Sequence, residues 1–146
     1  MVKMIKQKMK EQKGFTLIEL LAVIVILGII AAIAIPAIGN VISKSEEKAE
    51  AQEGVQIINA AKMYMANEPI DTLTFSGSPS KATITRAQLE GYLDHVEAEE
   101  TFSVIVEKST ASSGKFKYEL KGHPAAGDGE EAILDEQSLI ENANGK

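Results

Sequence analysis

The stretch FTLIELLAVIVILGIIAAIAIPAIG, Phe15 to Gly39, continues without a break as NVISKSEEKAEAQEGVQIINAAKMYMAN, Asn40 to Asn67. Of the 25 residues in the first part, 20 are hydrophobic, and no residue from Leu20 to Ser43 carries a charge. A run of that length matches the ~20 apolar residues that cross a bilayer as a helix. The second part is polar but keeps helical spacing. Ala51, Val55, Ile58, Ala61 and Met65 recur three and four residues apart, which gives one apolar stripe suited to packing beneath a domain. Met63 and Met65 read as core fillers. Pro69 disfavours helical backbone at the residue before it, so the helix should end near Asn67. At 1.5 Å per residue, Phe15 to Asn67 makes a helix of ~80 Å, half apolar stem and half spine of a head domain.

Charge is divided along the chain. The first 14 residues carry Lys3, Lys6, Lys8, Lys10 and Lys13 against Glu11, a net of +4, whereas the rest holds 10 basic and 20 acidic side chains, a net of −10. Positive flanks stay inside, so the lysine end is expected in the cytoplasm and the bulk of the chain outside. The near-zero mean hydropathy of the whole averages a greasy segment with a polar one, which argues against a freely soluble cytoplasmic enzyme. With no cysteine among 146 residues, disulfide frameworks, thiol nucleophiles and Cys-based metal sites are excluded. A secretory signal would be cut after its apolar core at a small-x-small site. Ala34-Ile35-Pro36 is the nearest candidate for such a site, but the run is longer than a signal core and feeds straight into a helical pattern. A plain single-pass anchor is the blander alternative.

Glu19 separates these readings. A carboxylate at hydrocarbon depth costs on the order of 2.5 to 3.5 kcal/mol, and such groups face a partner rather than lipid. Its closeness to the cytoplasmic end leaves a second reading, in which it reaches the interface and does nothing.

Lys13-Gly14-Phe15-Thr16-Leu17-Ile18-Glu19-Leu20-Leu21, preceded by a basic leader and followed by an unbroken apolar helix with Pro36, resembles the N-terminal region of type IV prepilins and the related pseudopilins. The resemblance covers about Lys13 to Asn40, and the remaining hundred or so residues carry no comparable signature. It implies that a membrane prepilin peptidase cuts after Gly14, and that the same enzyme N-methylates Phe15 as the new N-terminus. Glu19 would then pair with the terminal amine of Phe15 in a neighbouring subunit. The resemblance also implies assembly as a helical homopolymer with minor pilins, driven by a separate ATPase through a membrane platform protein. The division it suggests is a cytoplasmic leader over 1–14, a transmembrane and filament-core helix over 15–43, and a head over 44–146. The precursor would be a single-pass membrane protein that becomes an extracellular filament. The family alternative is a pseudopilin of type II secretion or DNA uptake. Gly28 and Pro36 weaken a helix in different ways, glycine through propensity and proline through the lost hydrogen bond, and they bracket a candidate flexible segment. Membrane helices also tolerate both residues without unwinding.

In the head, residues 68–83 have loop composition, with Pro69, Gly77, Pro79 and several Ser and Thr. Thr85 and Gln88 fit a capping box, and Ile84 and Leu89 fit a hydrophobic staple, so a short helix should run to about Leu93. Two strands follow. Phe102, Val104 and Val106 share one face of the first, and Phe116, Tyr118 and Leu120 share one face of the second, opposite Lys115, Lys117, Glu119 and Lys121. The polar loop Lys108 to Gly114 suggests antiparallel pairing. Glu131 to Ile140 reads as a third strand or a short helix, with a strand over about Glu131 to Asp135 favoured. The expected class is α+β, a long N-terminal helix packed on a small antiparallel sheet, which is pilin-like.

No phosphate loop, nucleotide fingerprint, HExxH pair or G-x-S-x-G elbow is present, so no enzyme activity and no cofactor are expected. His95 and His123 read as exposed loop residues. Asp128, Glu130 and Asp135, within an acidic cluster that includes Glu131 and Glu136, are the candidate calcium ligands; a solvated acidic surface is the alternative, since the spacing does not fit an EF-hand. Residues 67–146 hold 7 basic and 15 acidic side chains, a net of −8, which speaks against general nucleic-acid binding.

Overall fold

The structure is a computed structural model that describes residues 2–93, 101–108, 115–127 and 129–145, with only the backbone described for 2–15. Helix α1 spans Val2–Asn67 with Pro36 inside it. It belongs to two compact units, Met1–Ser43 and Lys44–Lys146.

In the first unit every described side chain from Thr16 to Ser43 is exposed except that of Ala34, which is half-buried. Among the described residues of this unit no second element covers the helix, and an apolar surface so placed is left for another solvent.

The second unit is built on the polar half of α1. The buried positions there are Ala51, Gly54, Ile57, Ile58, Ala60, Ala61 and Tyr64, with Val55 and Met65 partly buried at the margin. The expected stripe is therefore present, but broader and rotated toward Ile57 and Tyr64. Met63 corrects the core-filler reading, being 55% exposed. It follows Gln52, Gln56 and Asn59 at helical spacing, and all of these face outward. The helix stops at Asn67, as Pro69 requires, and a 3-10 turn at Ile70–Thr72 follows, with Thr72 Oγ1 donating to the Pro69 carbonyl at 2.7 Å.

The loop expected over 68–83 ends early, because Lys81–Thr85 is strand β1. Its alternation is faint in sequence, since Ala82 and Ile84 are the only apolar members. Pairing with the next strand decides its conformation. Helix α2, Arg86–Leu89, continues as a 3-10 turn over Glu90–Tyr92. Gln88 Oε1 accepts from the Thr85 N–H at 2.9 Å, and Ile84 and Leu89 are both fully buried. Strands β2, Ser103–Lys108, and β3, Phe116–Lys121, pair antiparallel with Val104 opposite Leu120 and Val106 opposite Tyr118. Strand β4, Ile133–Asp135, lies within the expected third strand but is shorter, because the chain turns at once into helix α3, Glu136–Ala143. The order in the antiparallel sheet is β1-β2-β3-β4.

One sheet face and the inner face of α1 share a core of Ile57, Ile58, Ala61, Ile84, Val104, Val106 and Leu120, closed by Leu139 of α3. Each fully buried Leu or Ile contributes about 1.5–3 kcal/mol. Gly54 lets α3 and the sheet approach α1. A Cβ there would sit 2.8 Å from Leu139 Cδ2 and 3.0 Å from Leu120 Cδ2. Gly122 turns the chain out of β3 at φ +72°, where a Cβ would meet the Thr101 carbonyl at 3.0 Å. Lys62 of α1 forms an ion pair with Glu136 of α3 and places its Nζ 5.5 Å from the Tyr118 ring centre. Burial, and then the Glu136 charge, push the Tyr118 phenol above its ordinary value.

Candidate functional site

The surface most unlike that of an ordinary globular domain is the first half of α1. Leu17, Leu20, Val23, Leu27, Ile30 and Ile33 are between 53% and 71% exposed, and the same holds on the other sides of the helix, as at Ile18, Ile24 and Ile35. Among the described residues this is the one helix long and apolar enough to cross a membrane. Glu19 is exposed near its start and is the one charged side chain from Thr16 to Ser43.

Gly14 and Phe15 lie in the α1 backbone, and their side chains fall outside the described set. Gly28 is helical with open space around it: a Cβ there would meet nothing among the described residues within 4 Å, and the same is true of Gly39. Intrachain packing therefore does not call for a glycine at either position. The helix continues through Pro36, which has no N–H to offer the Ala32 carbonyl one turn back. Ser43 Oγ donates to the Gly39 carbonyl at 3.3 Å, a side chain bonding to its own helix.

The candidate calcium ligands are not brought together by the described structure. Asp128 lies outside the described residues, and Glu130 is exposed in a turn. The Asp135 carboxylate caps α3, accepting from Gln137 N at 3.0 Å, Ser138 N at 3.1 Å and Ser138 Oγ at 2.7 Å. Of their neighbours, Glu131 pairs with Lys121 at 2.8 Å and Glu136 pairs with Lys62. Among the described residues no three acidic, histidine or cysteine side chains form a group able to hold a metal ion.

His95 lies outside the described residues. His123 overturns the exposed-loop reading, since it is 1% exposed. Its Nδ1 accepts from the Ala125 N–H at 3.1 Å, so this nitrogen is unprotonated and the imidazole caps the 3-10 turn Pro124–Ala126. Its Nε2 stands 3.8 Å from Glu53 Oε2 on α1, and its ring meets Phe102 edge-on at 6.1 Å. Pro124 marks the start of the turn in the sequence, but nothing local marks the burial of the imidazole against α1. The job is structural, tying the end of β3 to α1.

Residues 9–35 match the family model described as the prokaryotic N-terminal methylation motif. The chain is 37% identical over 82 residues to the type IV major fimbrial protein FimA of Dichelobacter nodosus (strain VCS1703A), a match covering 56% of this chain and 48% of that one. It is 44% identical over 79 residues to the type IV major alpha-pilin of Moraxella bovis, covering 52% of this chain and 48% of that one. The chain thus spans about half the length of these relatives. No solved structure matches it. The methylation motif thus lies on the exposed apolar helix, and the chain is similar over about half its length to type IV fimbrial and pilin proteins.

Proposed function

We propose that the chain is a structural subunit of a type IV pilus-like surface filament, assembled through the apolar half of α1. The observation that carries this reading is the all-round exposure of that half, with Glu19 as its single charge. In a membrane such a surface is an anchor, and in a filament it is a dry core packed against its own copies. Residues 1–14 are the cytoplasmic leader, cut after Gly14 by a prepilin peptidase that also methylates Phe15. Removing five lysines spares the chain from dragging them through the bilayer, and it creates a cationic terminal amine with a reference pKa near 8. That amine is a suitable counter-ion for the Glu19 carboxylate of a neighbouring subunit. Residues 15–43 form the stem and 44–146 the head, which faces the cell exterior in the precursor. Gly28 and Pro36 give the stem a segment able to loosen as it passes from lipid to filament. An ATPase and its membrane platform supply the work, and the subunit itself has no catalytic role. The relatives are named as major fimbrial and pilin proteins, which favours a pilus subunit over a pseudopilin of secretion or DNA uptake.

Glu19→Ala tests the reading. Truncating one partner of a buried pair costs ~3 to 5 kcal/mol per subunit contact, so the variant should be processed to a chain beginning at Phe15, as mass analysis of the N-terminus reads, and yet form no surface fibres. Normal fibres from the variant would remove Glu19 from assembly. An intact lysine leader on the wild-type chain would sink the processing scheme.

A further inference from the structure

The two edges of the sheet are finished differently. Along β1, Ser76 and Lys81 exchange two backbone hydrogen bonds of 2.9 Å, and Gln88 takes up the Thr85 N–H, so little of that edge is left to pair. At the opposite edge β4 pairs only with Glu119–Lys121 of β3 and stops at Asp135, where α3 begins. Among the described residues Phe116, Lys117 and Tyr118 have no strand partner on that side. Just beyond β3, Gly122 N donates to the Ala132 carbonyl at 3.0 Å. Hydrogen-bonded positions alternate along an antiparallel strand, so the even-numbered residues of β3 turn their backbone groups toward this edge. Phe116 lies well past the end of β4 with its N–H and C=O turned to the gap.

A groove of about 980 Å³ runs along this gap, between Phe116–Glu119 and the outer face of α3. Ile140 and Glu141 stand one helical turn after Gln137 on that face, while Leu139 points to the core. Ile140 is 41% exposed, and with the half-buried Phe116 it offers an apolar seat about one aliphatic side chain wide. The charged groups lining the groove are Glu119, Asp135, Glu136 and Glu141 against Lys117 alone. Glu119 and Glu136 already pair with Lys81 and Lys62. Among the described residues no lysine or arginine lies within ion-pair distance of Asp135 or Glu141.

We propose that this groove binds an extended segment of a partner protein, which adds a strand beside Phe116–Tyr118 and presents basic side chains to Glu141 and Asp135. A strand added to a sheet edge draws affinity from main-chain hydrogen bonds and specificity from the pockets its alternate side chains meet. Here those pockets call for an aliphatic residue over Ile140 and a lysine or arginine at the rim. A second copy of this chain is a poor occupant of the groove, since the same edge of that copy would bring its own Asp135 and Glu141 against these carboxylates, and its β1 edge is taken up by Ser76 and Gln88.

The test titrates the full chain in detergent micelles with a synthetic heptapeptide alternating lysine with valine, and reads backbone amide exchange residue by residue. The Phe116 and Tyr118 amides should become protected as peptide is added, with the β1 amides unchanged, and a glutamate–valine heptapeptide should protect neither. Glu141→Lys, an exposed substitution that leaves the core alone, should weaken the lysine peptide by about fivefold. The proposal is overturned by unchanged exchange at Phe116, or by equal protection from the glutamate peptide. Protection that rises with protein concentration in the absence of peptide would also overturn it, by assigning the groove to a second copy.

Discussion

Replacing Gly54 by valine sets helix propensity against packing, and the structure gives the sizes of both. Valine in place of glycine in a helix interior gains about 0.3 kcal/mol of propensity. Against this, the first added carbon would stand 2.8 Å from Leu139 Cδ2, 3.0 Å from Leu120 Cδ2 and 3.4 Å from Ala125 Cβ. Both leucines are fully buried, so neither can swing into solvent, and overpacking of this kind costs about 1–3 kcal/mol. The net expectation is a loss of about 1–2 kcal/mol, which for a head of this size lowers Tm by about 5–15 °C. Tyr64, Tyr92 and Tyr118 all lie in the head, so near-ultraviolet circular dichroism of the full chain in micelles follows its melting. Leu139→Ala alone should cost about 2–5 kcal/mol through the cavity it opens. Combined with Gly54→Val it should cost less than the sum of the two by about 1 kcal/mol or more, because the valine fills part of that cavity. A Gly54→Val chain that melts at or above the wild-type temperature, or strict additivity in the double variant, would refute the close approach of α3 to α1 at this glycine.

Two further outcomes follow from the caps. The Ser138 hydroxyl, and then the Ser138 and Gln137 amides, hold the Asp135 carboxyl below its ordinary value. Its stabilising contribution is thus complete above the unfolded-state value near 3.9 and is lost as pH falls through the lower folded-state value. Asp135→Ala should cost about 1 kcal/mol in urea unfolding at neutral pH and much less in acid below both values, while Asp135→Asn keeps most of the cap; an alanine deficit equally large in acid would contradict the assignment. His123→Ala should cost about 2–4 kcal/mol, since it opens a cavity and strips the Ala125 N–H of its acceptor. His123→Asn, whose side-chain oxygen can take that N–H, should recover part of the loss, and an alanine variant melting like the wild type would show that the imidazole ties nothing together.

The readable parts of this chain are those whose signal is local. The end of α1 at Asn67, the Thr85–Gln88 cap and the inward faces of β2 and β3 follow from proline geometry, capping chemistry and period-two alternation, each complete within a few residues. Strand β1 was hidden because Ala82 and Ile84 alone mark its inward face, and β2 alongside is what holds Lys81–Thr85 extended. At the C-terminal end both a strand and a helix were conceivable for residues 131–140, and the chain uses both in succession, with Asp135 closing the strand and capping the helix.

What the sequence determined by itself is the stem. Its length, its apolarity on every side and the lone Glu19 are one-dimensional facts, because a helix satisfies its own backbone and needs no other part of the chain to define it. Only the tertiary structure decided the role of His123, which lies near Glu53 across 70 residues of sequence, and of Gly54, whose missing side chain makes room for Leu139 and Leu120. The same holds for the unfinished edge beside Phe116, which exists because β4 ends where α3 begins. These features depend on which distant atoms come within a few ångströms of one another, and that is settled by packing the sheet and α3 against α1 rather than by any local pattern of residues.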